Sequence, residues 1–208
     1  MFVDLLEKLR CPNEHEPSPL IATASRTVDR HIIEGTLGCP VCHAEFEVRH
    51  GALELGDSEI VPMLTAAALS DERRMRTGAL LGLDERGGLY VLDFISSYFI
   101  SGLRELSPNS MFVALSGDAG IEGASGVIVG HGEGIPLAAG CARGIVLDHA
   151  TPKLLRAAVN ALAAGGRLVA PADARVPTGI REIAADSAQW VGEREAVPTL
   201  SGIRRASR

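Results

Sequence analysis

The chain has 208 residues, 46% hydrophobic and 22% charged, the balance of a folded chain rather than a disordered one. Its formal net charge of −6 argues against a general grip on nucleic acid, and no stretch approaches the ~18 apolar residues of a membrane-spanning helix. Aromatic residues are only 4% of the chain, so its core must be aliphatic.

Phe2, Val3, Leu5, Leu6 and Leu9 are spaced as one stripe of a short amphipathic helix over 2–9. Asp4 and Glu7 interrupt the apolar run that a signal peptide needs, so a cytoplasmic protein is expected. Disulfides are then not expected, and clustered cysteines read as metal ligands. A proline-rich loop follows, then short strands at Leu20–Ala24, His31–Leu37 and Glu45–Arg49, with Gly51 turning the chain into Ala52–Leu55. Gly56-Asp57-Ser58 is the expected boundary between a small first domain, 1–56, and a second, 57–208.

Beyond it, Ile60–Leu83 reads as helix, broken near Ser70-Asp71, where a second helix is capped. Strands and helices then alternate. Strands are expected at Leu89–Ile95, Met111–Leu115, Gly126–Val129, Gly144–Leu147 and Arg167–Ala170, and helices at Ser97–Leu106 and Pro152–Ala164. That alternation predicts a largely parallel sheet covered by helices. A helix around Thr178–Ser187 and strands near Trp190 and Leu200 complete the expected elements.

Cys39-Pro-Val-Cys42 is a knuckle that lets two thiolates point at one ion. Its partner half is Cys11-Pro-Asn-Glu14-His15. A second cysteine would usually stand where Glu14 does, and His15, one position on, reaches farther than a thiol. Cys11, His15, Cys39 and Cys42 therefore form a candidate structural zinc site, with Glu14 as rival for the fourth place. His31 and His43 are poorly placed, and Cys141 has no adjacent basic group to activate it. Arg204, Arg205 and Arg208 read as a solvated basic tail.

LLEKLRCP, EGTLGCPVCHAEFEVRHGALEL and the two ligand pairs resemble the Trm-type zinc-ribbon activator family over residues 1–55. Members of that family bind and stabilise methyltransferases. Residues 60–208 resemble class I S-adenosylmethionine-dependent methyltransferases through four ordered segments: Tyr90–Phe94, Val127–Leu137, Gly144–Ala150 and Leu154–Pro171. The implied fold is α/β, a Rossmann-type doubly wound sheet preceded by a small zinc ribbon.

The same resemblance exposes three departures. The cofactor loop after the first strand needs glycines, and here it reads Asp93-Phe-Ile-Ser-Ser-Tyr-Phe99. The second strand runs into Ser116 and Gly117 instead of an acid, with Asp118 too far along, and His131 stands where an acid would meet adenine. The expectation is a non-catalytic interaction or scaffold protein that does not bind S-adenosylmethionine. The alternative is an active methyltransferase holding its cofactor through Asp93, Ser96, His131 and Glu133. Asp93, Asp148 and His149 read as structural strand-end groups, although Asp148 and His149 lie where catalysis would occur. A protein partner or a second copy is expected, with the ribbon packed on its own methyltransferase-like half, and neither membrane nor nucleic acid.

Overall fold

A computed structural model of the chain describes residues 1–56, 69–116 and 120–196, and the structural statements below concern those residues. After a 3-10 turn at Val3–Leu5, four strands form an antiparallel meander: β1 (Ile21–Val28), β2 (His31–Gly38), β3 (Glu45–Arg49) and β4 (Ala52–Glu54). Two of its hairpins close with two residues each, Asp29-Arg30 at φ 45° and 62° and His50-Gly51 at φ 51° and 82°. Positive φ at both positions is what a two-residue hairpin needs to match strand twist.

The second half contains α1 (Asp71–Leu81), β5 (Leu89–Asp93), α2 (Phe94–Ser97), α3 (Ile100–Leu106), β6 (Met111–Ser116) and β7 (Gly126–Val129). It continues with β8 (Ala142–Val146), α4 (Pro152–Ala161), β9 (Leu162–Pro171), β10 (Ile180–Ala185) and β11 (Gln189–Arg194). α1 starts where Ser70 Oγ accepts from the Arg73 N–H at 3.3 Å. α4 starts where Thr151 Oγ1 accepts from Leu154 N–H at 3.1 Å, with Pro152 in the first turn.

All strands join one sheet of order β1-β2-β3-β4-β7-β6-β5-β8-β9-β11-β10. Counted from β5, the parallel centre runs third-second-first-fourth-fifth, the doubly wound order, with its switch point between β5 and β8. This is the doubly wound α/β sheet anticipated from the four segments. Leu89 and Val91 face one core and Tyr90 and Leu92 the other, so both faces of β5 are covered. That is why the central strands are continuous apolar runs.

Several elements differ from expectation. Thr178–Ser187 is not a helix: Ile180–Ala185 is β10, folded back on β11. The Asp186 carboxylate accepts from the N–H groups of Ala188 and Gln189 at 2.8 and 3.0 Å, making a turn, and cross-strand pairing overrides weak local helix propensity. At the N-terminus only Val3–Leu5 is helical, because Phe2 and Val3 donate to Ser125 O and Arg30 O and are drawn against the sheet. The helix expected at Ser97–Leu106 is divided into α2 and α3, and α4 ends at Ala161 because Leu162 already pairs with Ala142 in β9. The first part of the expected 60–83 helix, most of the 56–58 boundary, the strand near Leu200 and the arginine tail lie outside the described residues.

The N-terminal module is built into the main sheet. β4 pairs in parallel with β7, Ala52 opposite Val127 and Glu54 opposite Val129. Leu5, Leu9, Leu37, Phe46 and Val48 share one core with Val113, Leu115, Ile128 and the inner face of α4. Gly130, just past β7, has φ 68°, and a Cβ there would fall on the Gly56 backbone. Gly130→Ala should therefore lower unfolding stability by ~2 kcal/mol or more, measured by urea titration; a change below ~0.5 kcal/mol would show that this junction is loose.

Candidate metal centre and strand-end crevice

Ligand atoms of Cys11, His15, Cys39 and Cys42 all lie within 4.8 Å of one another. Cys11 Sγ is 3.7 Å from Cys42 Sγ, and His15 Nε2 is 3.3 Å from Cys39 Sγ. A tetrahedron with Zn–S bonds of ~2.3 Å has S–S edges of about 3.8 Å, so the cluster is compatible with structural zinc. Glu14 is exposed and outside the group. His43 is exposed on the turn after the knuckle, and His31 lies against Phe2 at the start of β2, with 5.2 Å between ring centroids.

The groups around the cluster suit a metal. His15 Nδ1 lies 2.6 Å from Glu16 O, so it carries the proton and leaves the Nε2 lone pair facing the sulfurs. Asn13 Nδ2 donates to Cys42 Sγ at 3.3 Å and the Val41 N–H to Cys39 Sγ at 3.4 Å. The Ala44 N–H first, and Asn13 next, hold the Cys42 thiol down at about 6, while burial pushes Cys11 up to about 12. A divalent cation among them favours the thiolate at every sulfur.

The second site is the crevice at the sheet's switch point. Asp93 ends β5 with its carboxylate 0% exposed, and no donor is aimed along a hydrogen-bonding direction at either oxygen. Its neighbours are imidazoles: His149 Nδ1 lies 2.8 Å from Oδ2, and His131 Nε2 lies 3.7 Å from Oδ1. The His149 side chain is 37% exposed, that of His131 6%. The Asp93 carboxylate raises the His149 pKa against partial burial; at His131 burial dominates and lowers it. His131 Nδ1 is 3.1 Å from Gly134 O.

Phe94 follows Asp93 at φ 39°, a left-handed conformation that glycine favours and a bulky residue resists. Its ring meets His149 edge-on at 4.7 Å between centroids and His131 at 6.4 Å. Phe99 turns the other way, into the sheet–helix core with Ile100 and Leu103, and Tyr98 packs at the edge of that core. So Phe94 alone of these three aromatics stands against the crevice histidines.

Asp148, beyond β8, is occupied structurally. Its oxygens accept from the Ser96 N–H at 2.6 Å, Ser96 Oγ at 2.9 Å and Arg73 at 2.8 Å. It caps α2, a role that Asp93 does not take. Burial nonetheless raises its pKa, against the Ser96 and Arg73 contacts. Of Asp93, Ser96, His131 and Glu133, the first three border the crevice, Ser96 is committed to Asp148, and Glu133 is exposed. Asp118 lies outside the described residues. The Arg73–Asp148 contact joins residues 75 positions apart and leaves no local pattern in the sequence. Cys141 is half-buried, and burial raises its pKa. No helix among the described residues is long and apolar enough to cross a membrane.

No protein-family model and no curated protein matches the chain. Among solved structures, yhhF of Escherichia coli, provisionally described as a methyltransferase, is 16% identical, covering 69% of this chain and 97% of its own at a TM-score of 0.42. A protein of Methanococcus maripaludis, provisionally described as S-adenosyl-L-methionine-dependent, is 12% identical over 62% of this chain and 85% of its own, with a TM-score of 0.43. The antibiotic-resistance methyltransferase Kmr is 12% identical over 68% and 98%, with a TM-score of 0.41.

Two outcomes follow from these geometries. His15→Ala should release metal from the purified chain far more readily than Glu14→Ala, as read by metal analysis after mild chelation; the reverse order would transfer the ligand role to Glu14. The His149 pKa is raised on folding, so the stability this group contributes is complete below its unfolded value of about 6.5 and fades as pH rises through the raised folded value. His149→Gln should cost about 1–2 kcal/mol near pH 6, the buried-pair figure discounted for exposure, and less toward pH 9. A cost independent of pH in that range would contradict the Asp93–His149 pairing.

Proposed function

We propose that this chain is a zinc-containing, non-catalytic methyltransferase-like protein that acts by binding a protein partner or a second copy of itself. The zinc is structural: with three thiolates and an imidazole the coordination sphere is closed, leaving no open position for chemistry. It holds together a module too small to bury an adequate core alone.

The observation that carries the non-catalytic reading is Phe94. At the first position after β5 the backbone keeps a glycine-like φ of 39°, but the residue is phenylalanine and its ring lies against His149 and His131. A cofactor approaching backbone in this crevice meets a side chain instead. The Asp93 carboxylate is wholly buried, with the imidazoles of His149 and His131 beside it.

One observation favours the alternative, an active enzyme. A half-exposed imidazole oriented by a buried carboxylate is how a general base is held, and His149 beside Asp93 has that form. Such a base needs a bound methyl donor beside it, and the Phe94 ring opposes this.

Calorimetric titration of the zinc-loaded chain with S-adenosylmethionine separates the two. The proposed function predicts no saturable binding at concentrations of about 100 µM, where a useful site supplies roughly 5–6 kcal/mol. Saturable binding in that range, abolished by Asp93→Asn, would establish the enzyme reading instead.

A further inference from the structure

β9 and β10 both run antiparallel to β11, which lies between them, so they are parallel to each other and the chain must cross one strand to join them. Parallel crossovers ordinarily take a dozen or more residues and include a helix. Here the connection is Ala172–Gly179, without helix. It passes over the face that carries α4, and Ala174 and Val176 join the same core as Leu155 and Ile180. Among the described residues, a groove of about 920 Å³ lies between α4 and the 173–178 segment.

The groove floor is apolar: Leu155 and Ile180 are buried, and Val159 and Val176 are half-buried beside them. Arg156 and Arg175 also line it, both exposed and neither in an ion pair or hydrogen bond among the described residues. The Asp173 carboxylate also lines it, outside ion-pairing distance of either arginine. An aliphatic lining of this size together with two unpaired arginines matches a ligand with an apolar body and an anionic head, the group that arginine binds best.

We propose that this groove binds an amphipathic organic anion, its apolar body on Leu155, Val159, Val176 and Ile180 and its carboxylate or phosphate on Arg156 and Arg175. The site is separate from the strand-end crevice and does not depend on whether the crevice accepts a cofactor.

Trp190 is the only tryptophan in the chain, and its Nε1 donates to Ala174 O at 2.7 Å, so its fluorescence reports on the groove wall. The full chain is titrated below micelle formation with decyl phosphate, decanoate, decanol and inorganic phosphate, reading Trp190 emission and, in parallel, equilibrium dialysis. At least one of the two amphipathic anions should bind saturably, and which one identifies the preferred head group. Decanol and inorganic phosphate should bind about tenfold or more weakly than that anion. The exposed double variant Arg156→Gln/Arg175→Gln should lose about tenfold or more in affinity for it, and Asp173→Asn should gain affinity. Decanol binding as tightly as the anions, unchanged affinity in the double variant, or no bound anion by dialysis would each overturn the proposal.

Discussion

The parallel pairing of β4 with β7 decides where everything before residue 56 sits. Ala52, Leu53 and Glu54 lie opposite Val127, Ile128 and Val129, so the N-terminal meander extends the α/β sheet instead of hanging from it. Further bonds follow from that register. The Arg10 N–H donates to Pro136 O at 2.9 Å and the Ala138 N–H to Lys8 O at 2.7 Å, tying the strip beside Cys11 to the loop after β7. The amino terminus donates to Ile32 O at 2.8 Å within the protein, and Gly126 leaves room for Leu5 across the seam. The same loop carries His131. The Cys/His cluster in the module, the seam and one wall of the crevice are thus mechanically connected.

That connection gives the two halves different relations to chemistry. At the Cys/His cluster the sulfurs are supported by donors from Asn13, Val41 and Ala44, and the His15 Nδ1–H donates to Glu16 O, so neighbouring groups orient the four ligands. At the crevice the polar groups lie against one another. Asp148 spends its oxygens on Ser96 and Arg73, and Asp93 is paired by distance with His149. Phe94 sets its ring against both histidines at the first position after β5.

Much of this was legible in the sequence wherever the signal was local or strictly periodic. The cysteine spacing and the alternation of apolar strands with helices both describe short-range geometry. So did the glycine-poor stretch after Asp93, although which aromatic would face the crevice depended on the turn into α2. Phe94 and Phe99 are equally apolar, and only the left-handed φ of Phe94 sends its ring toward the histidines while Phe99 enters the core. Ile180–Ala185 has no strict apolar alternation, and its strand state rests on pairing with β11 and the turn at Asp186. The parallel seam of β4 on β7, the Arg73–Asp148 bond and the groove beside a short crossover all join distant segments, and no window of sequence contains them.

The central claim is that the metal module and the sheet are one unit, so the Cys/His cluster holds the crevice wall in place. Hydrogen exchange of the full chain, with and without zinc, reads this directly. Removing the metal should speed exchange not only in β1–β4 but also in β7 and the 131–138 loop, because the seam bonds and the shared core are lost together. Faster exchange confined to the first 56 residues, with β7 and the loop as protected as before, would contradict it.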